Sequence, residues 1–309
     1  MRTLKSGIIS FLSLLLILSF LFCSCSLPKP QDPSKSDPGV SVGAFDPEAI
    51  LAAVPAFTDK AFVNVNDGKP FFTESDYTTE AFERYAELDS LGRCGITYAN
   101  VCKELMPTEE RGNIGSVKPS GWHTVKYDIV DGKYLYNRCH LIGYQLTGEN
   151  ANRQNLITGT RYLNIQGMLP YENMVADYVK ETGNHVLYRS TPLFDGDELV
   201  ARGVLLEGYS VEDGGEGISF CVYCYNNQPG ITIDYATGES RLEGDTAQTP
   251  STGETEESVT YILNVAGKKF HLPTCPSVGA MKEENRQTYT GTREDLIEDG
   301  YSPCGSCKP

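Results

Sequence analysis

The chain holds four histidines, at 123, 140, 185 and 271, so proton transfer near neutral pH has few candidates. His140 keeps the most suggestive company. It closes the run Tyr136-Asn137-Arg138-Cys139-His140 and is followed by the polar stretch Asn150-Ala151-Asn152-Arg153-Gln154-Asn155-Leu156-Ile157-Thr158, then by Asn164 and Glu172. Arg138 and His140 are two apart, so on a strand both side chains take one face while Cys139 takes the other. A planar guanidinium fork beside a neutral imidazole suits attack on a phosphate ester, because the fork holds phosphate oxygens and the imidazole accepts a proton. The same alternation argues against a cysteine hydrolase built on Cys139 and His140, since adjacent strand residues cannot make the nucleophile-base hydrogen bond. Cys139 reads as core, or as half of a disulfide with Cys94 or Cys102. His123 and His185 have no such neighbours and read as structural. No close pair of acids resembles the two carboxylates of a glycosidase.

A second constellation lies near the C-terminus. His271-x3-Cys275 and Cys304-x2-Cys307 supply one nitrogen and three sulfurs in two close pairs, the donor set of a tetrahedral zinc site. Residues 259–309 are too few for a comfortable hydrophobic core, so a staple is expected there. In an oxidising compartment a Cys275–Cys304 disulfide competes with zinc. Cys221 and Cys224 form a C-x2-C, but inside an apolar strand an odd offset sends them to opposite faces, which argues against a shared redox or metal role.

The elements that must position these residues follow from the apolar pattern. Glu80 to Leu91 reads as a short helix, and Thr124 to Tyr136 as two strands turned at Asp131-Gly132. Val186 to Tyr209 reads as two strands joined around Phe194-Asp195-Gly196-Asp197, and Gly217 to Tyr225 as another strand. Between the strand groups, Pro170 to Thr182 reads as a helix. Pro170 suits its first position, Met174, Val175, Tyr178 and Val179 make one apolar face, and Gly183 ends it. Strands, helix, strands is an α+β order with an antiparallel sheet, and no glycine-rich loop opens a helix to cradle phosphate.

The core motifs resemble the DNA/RNA non-specific endonucleases of the His-Me finger (ββα-metal) superfamily, and among them the DNA-entry type of secreted bacterial nuclease. The resemblance runs from about Asp89 to Gly238. It rests on Asn137-Arg138-Cys139-His140 against the family's Asp-Arg-Gly-His, on Asn155-Leu156-Ile157-Thr158, on Asn164, and on Gln228-Pro229-Gly230-Ile231-Thr232-Ile233-Asp234-Tyr235. It implies His140 as general base, Arg138 as the arginine beside it, Asn155 at the opening of the helical leg, Asn164 as the ligand of a magnesium or manganese ion, and Glu172 as a supporting acid. Asn137 stands where the family has aspartate, and Cys139 where it has glycine. Magnesium accepts few protein ligands, so one neutral amide oxygen leaves the ion strongly charged and open to phosphate. The tail is similar to the metal-binding domain of the Ada DNA-repair protein, through Thr274-Cys275-Pro276 and Gly300-Tyr301-Ser302-Pro303-Cys304-Gly305-Ser306-Cys307, with His271 where that domain has a cysteine.

Five segments are expected: a lipoprotein-type signal peptide at 1–25, a disordered tether at 26–45, the endonuclease domain at 46–237, an acidic linker at 238–258 and the Ada-like module at 259–309. Arg2 and Lys5 precede an apolar run from Gly7 to Phe22, shorter than the ~20 residues of a spanning helix. Ser24 before Cys25 resembles a lipobox, which makes Cys25 the expected lipidated residue, with simple secretion as the runner-up. Either way the chain works outside the cytoplasm, anchored to the membrane by its lipid in the first case. The linker holds six acidic residues and one arginine in a Gly/Ser/Thr/Pro background that cannot bury enough surface to fold.

The net charge of −15 excludes a polycation that coats nucleic acid by counterion release. From Arg84 to Ser210 the 13 basic and 15 acidic residues nearly cancel, so substrate must be held by a local patch such as Arg138, Arg153, Arg161 and Lys180. DNA is the expected partner, with RNA as a second substrate; no protein partner is inferable. The rival readings are a non-catalytic surface protein that binds nucleic acid on a degenerate nuclease fold, and a phosphodiesterase of smaller substrates.

Overall fold

Three long apolar runs, Val186–Leu193, Gly203–Ser210 and Ser219–Tyr225, are buried along nearly their whole lengths, because the sheet they form is covered on both faces. The structure is a computed structural model and describes residues 40, 44–245, 259–291, 293, 296 and 301–309. Cys25, the signal peptide and most of the tether and linker lie outside the described residues. Helix α1 (Pro47–Ala53) precedes strands β1 (Phe62–Asn64), β2 (Phe82–Tyr85), β3 (Thr97–Val101) and β4 (Tyr136–His140). Then come α2 (Tyr144–Thr147), β5 (Leu156–Thr160), a π-helical turn at Leu163–Met168, α3 (Leu169–Thr182), β6 (Val186–Leu193), β7 (Gly203–Ser210), β8 (Ser219–Tyr225), β9 (Ile231–Ile233) and β10 (Ser240–Leu242). The main sheet is antiparallel, in the order β1-β8-β7-β6-β3-β2, while β4 and β5 pair only with each other.

One face of the sheet buries Val204, Leu206, Phe220 and Cys224 against Tyr171, Val175 and Val179 of α3 and against Cys139 and Ile157 of the β4–β5 pair. The other face buries Leu205, Cys221 and Tyr223 against Val40, Ile50 and Val65. Cys221 and Cys224 therefore do face opposite ways. The helix ends as expected, with Gly183 at φ +79°. The β4–β5 pair followed by α3 forms a ββα unit laid on the sheet.

Several expectations are corrected. Glu80 to Leu91 is not a helix. Its start pairs with β3, and Asp89 stops any helix by accepting hydrogen bonds from the backbone N–H groups of Leu91 and Arg93, both at 2.9 Å. The Thr124–Tyr136 hairpin shrinks to one bridge, Lys126 with Tyr134, because Tyr136 onward takes β5 as its partner instead. Cys94, Cys102 and Cys139 are all free thiols. The Cys94 thiol donates to the carbonyls of Arg153 and Leu156, both at 3.2 Å, and Cys139 is buried so closely over Gly159 that a Cβ there would stand 2.3 Å from its sulfur. Ordered structure also overruns both expected edges of the core: Val40 bridges Val65, and β10 pairs with β9 beyond residue 237.

The tail holds β11 (Val259–Asn264), β12 (Lys269–His271), the short helix α4 (Pro276–Gly279), β13 (Arg286–Gly291) and β14 (Ser302–Pro303), in the sheet order β13-β11-β12-β14. Its apolar core is small: Tyr261, Leu263, Phe270, Leu296 and Tyr301.

Candidate active site

Strand β4 delivers His140 to the site, and Asn155 holds the strand's exit. Asn155 is fully buried; its Oδ1 accepts from Ile142 N at 2.9 Å and its Nδ2 donates to Ile142 O at 3.0 Å. Both ends of the amide are spent on backbone, so the expected catalytic role for Asn155 is corrected to one of positioning the chain just after His140.

The His140 ring is buried and bonded at both nitrogens. Nε2 lies 2.8 Å from the carbonyl of Asn150, which can only accept, so Nε2 carries the proton and Nδ1 the lone pair. Nδ1 faces Arg111 Nη2 at 3.2 Å. Burial, and then the Arg111 charge, push the pKa of the ring down to about 4, with the carbonyls of Asn150 and Glu149 working the other way. The imidazole is thus neutral at pH 7 and its basic nitrogen is capped by a guanidinium.

Asn164 stands in the π-helical turn before α3. Its Nδ2 donates to Asn137 Oδ1 at 3.2 Å, which leaves its own Oδ1 untaken by Asn137, and both residues line one cavity. Asn137, where the family motif has aspartate, is thus a hydrogen-bond partner of Asn164. The cavity, about 540 Å³, is lined by Arg111, Gly112, Asn113, Ile114, Tyr134, Tyr136, Asn137, Arg138, Arg161 and Asn164, and by Lys268 of the tail. His140 meets this cavity through Arg111, which both lines it and bonds Nδ1. A hard cation fits the wall that Asn164 presents, since the free donor there is an uncharged oxygen.

Arg138 does not have the free fork expected of it. Its Nε donates to Val117 O at 2.6 Å, its Nη2 donates to Gly115 O at 2.9 Å, and the guanidinium lies 4.1 Å from the centre of the Trp122 ring. A guanidinium bonded along this edge cannot also grip a phosphate with it, so Arg138 acts as the clamp of the 115–122 loop. Of the expected basic patch, Arg138 and Arg161 line the cavity; Lys180 instead lies 3.9 Å from Asp177 on the surface of α3, and Arg153 is absent from the wall.

The cation that does reach the histidine is Arg111, which sequence reasoning missed. In Glu109-Glu110-Arg111-Gly112-Asn113 it looks like part of a solvated charge run. Two distant bonds fold that loop over the site: Gly112 N to Asn150 Oδ1 at 2.7 Å, and Tyr144 OH to Glu109 O at 2.6 Å.

Glu172, in the first turn of α3, lies buried against Gly143, where a Cβ would stand 2.7 Å from its Oε2. Burial raises its pKa to about 7, with Arg111 opposing. A carboxyl raised in this way contributes stability in full below its unfolded pKa near 4.5, and that contribution is lost as pH rises through about 7. In chelator, Glu172→Gln is expected to leave stability unchanged at pH 4 and raise it by roughly 3 kcal/mol at pH 8, read by denaturant unfolding at both values. Equal effects at the two pH values would show that the carboxyl is not held protonated.

In the tail, the ligand atoms of His271, Cys275, Cys304 and Cys307 lie within 4.8 Å of one another, and three of the four residues are buried. His271 Nδ1 is 3.4 Å from Cys275 Sγ. Backbone N–H groups of Cys307 and Ser306 bring the Cys304 thiol down to about 7, toward the thiolate a metal requires. All three cysteines are free thiols, and the donor set and spacing fit zinc.

Residues 73–211 match the family model for the DNA/RNA non-specific endonuclease domain. That segment is similar to this family over 139 of the chain's 309 residues. A curated deoxyribonuclease from Streptococcus dysgalactiae subsp. equisimilis is 32% identical over 136 residues, 41% of this chain; the chain spans 40% of the length of that relative. Two crystal structures of NucA from Streptococcus agalactiae share the fold at 27% identity. The one with a magnesium ion bound has a TM-score of 0.51 over 57% of this chain and 86% of its own; the one with no metal bound has 0.54 over 62% and 92%. The ββα unit with His140, Asn155 and Asn164 lies inside the matched segment, whereas the tail cluster lies outside it.

Proposed function

We propose that this protein is an extracellular, metal-dependent endonuclease that hydrolyses the phosphodiester bonds of DNA, and of RNA as a second substrate, without sequence preference. The observation that carries this reading is the neutral ring of His140, its lone pair on Nδ1 turned to a guanidinium that lines the same cavity as the amide oxygen of Asn164. Nδ1 takes the proton of the attacking water, while Arg111 exchanges the imidazole for a phosphate oxygen, the stronger, charge-assisted partner. Asn164 Oδ1 holds the metal, and Asn137 and Asn155 keep the two legs of the site in place. A magnesium ion, or manganese in its stead, supplies neutralisation of the charge that develops on the phosphorus oxygens and the leaving group. The magnesium bound by NucA supports that choice of ion.

The two departures from the family motif cost no catalytic group, since Asn137 orients Asn164 and Cys139 fills core. The reading of a non-catalytic binding protein thereby loses its hints. Zinc is the proposed occupant of the tail cluster, and lipidation of Cys25 the proposed anchor that keeps the enzyme at the outer face of the membrane.

The test is digestion of supercoiled plasmid by the purified protein. Cutting is expected with magnesium and not with chelator, and Asn164→Ala should lower the rate about 100-fold or more at matched magnesium. Undiminished cutting in chelator, or by the variant, would remove the metal from the mechanism.

A further inference from the structure

Tyr134 is placed where nothing in the reaction described so far uses it. The segment that carries it is stitched to both neighbours: Leu135 N donates to Val125 O at 3.0 Å, and Arg161 N donates to Leu135 O at 2.7 Å. The Lys126 ammonium sits 4.5 Å from the centre of the Tyr134 ring. Tyr134 lines the cavity and Lys126 does not, so the cation that backs the ring leaves its other face for a ligand. Arg161 lines the same wall and is held by Asp131 Oδ2, at 2.9 Å from Nη2 and 3.2 Å from Nε.

We infer that the Tyr134 ring is a stacking platform for one nucleobase next to the cleaved phosphate, and that the site therefore takes an unpaired nucleotide. This rests on the nuclease reading above. A cavity of about 540 Å³ has room for a single nucleotide. A base can offer its face to Tyr134 only after leaving its own stack. The polar groups around it are poorly suited to reading base edges, because Asn113 Oδ1 is spent on Gly115 N at 2.7 Å and Arg138 on two backbone carbonyls. Stacking without edge readout tolerates every base, which agrees with cleavage that ignores sequence. Single-stranded DNA and RNA are the favoured substrates, and a duplex is cut at the added cost of unstacking one nucleotide.

The experiment uses the full protein. In chelator, binding of a labelled ten-residue oligothymidylate is measured by fluorescence anisotropy for the wild type and for Tyr134→Leu, Tyr134→Phe and Tyr134→Trp. Tyr134→Leu is expected to weaken binding about tenfold, while the aromatic variants stay within about threefold of wild type. In magnesium, the wild type should cut a single-stranded circle with kcat/KM about tenfold above that for the duplex of the same sequence, and Tyr134→Leu should raise KM on the circle more than it lowers kcat. Wild-type affinity in the leucine variant overturns the platform, as does equal damage from leucine and tryptophan, which would mark a packing role. A wild type that binds the oligonucleotide through Tyr134 yet cuts nothing would overturn the nuclease reading and leave the platform standing. The tryptophan variant supplies the aromatic test even where leucine unsettles the fold.

Discussion

His140→Ala is expected to lower kcat for plasmid cleavage about 10²- to 10⁴-fold at pH 7.5, the range that a positioned general base contributes. The pH profile makes this prediction specific to the geometry. In the free protein, burial and Arg111 hold the imidazole pKa down at about 4, so the acid limb of kcat/KM, which reports the free enzyme, is expected near pH 4 and not near 6.5. The sign follows from the role: a base works when neutral, and activity falls as acid protonates it. On the proposed mechanism Arg111 moves to the phosphate in the enzyme–substrate complex and an anion stands near the ring, and both changes raise the pKa. The acid limb of kcat is therefore expected at higher pH than that of kcat/KM. Coincident limbs would mean that Arg111 stays on the imidazole; kcat for His140→Ala within threefold of wild type would remove His140 from the chemistry. Thermal unfolding of the variant checks that its loss is not one of fold.

Metal removal from the tail is expected to unfold it. The five buried apolar residues of its core cluster, among the described residues, make a core too small to offset the chain entropy of about fifty residues, at roughly 1.5 kcal/mol per ordered residue. A structural zinc site contributes apparent binding energies of roughly 10 to 16 kcal/mol at pH 7, enough to decide whether such a module folds. Calorimetry of the full chain should show a tail transition that a strong zinc chelator abolishes and zinc restores, while the core transition moves little. Cys304→Ser should reproduce the chelator's effect, because it removes one of three thiolates from a four-ligand set. A tail transition indifferent to both treatments would leave the cluster as four unligated side chains.

The placement of the candidate residues was legible where it depends on residue types at short spacing. The two-residue step from Arg138 to His140 put both on one face of β4, the apolar face of Pro170 to Thr182 marked α3, and the odd offset of Cys221 and Cys224 put them on opposite sides of β8. The two close pairs of the tail do come together, with their four ligand atoms within 4.8 Å of one another. Each of these depends on backbone periodicity or on ligand preference, and both act over a few residues.

Tertiary structure decided the matters that depend on which distant group arrives first. Tyr136–His140 abandoned its local hairpin for Leu156–Thr160, because that pairing buries Cys139 and Ile157 against the sheet. Phe82–Tyr85 became an edge strand where a helix was expected, because β3 offered it a ladder. The two arginines exchanged parts for the same reason. The carbonyls of Gly115 and Val117, buried with Arg138, need donors and take its fork, while Arg111, in a run that looked merely soluble, is folded over His140 by a hydrogen bond from Gly112 N to Asn150 Oδ1 and one from Tyr144 OH to Glu109 O. A guanidinium goes to whatever acceptors the fold leaves unsatisfied, and those are set by contacts 20 to 40 residues away, beyond the reach of any local pattern.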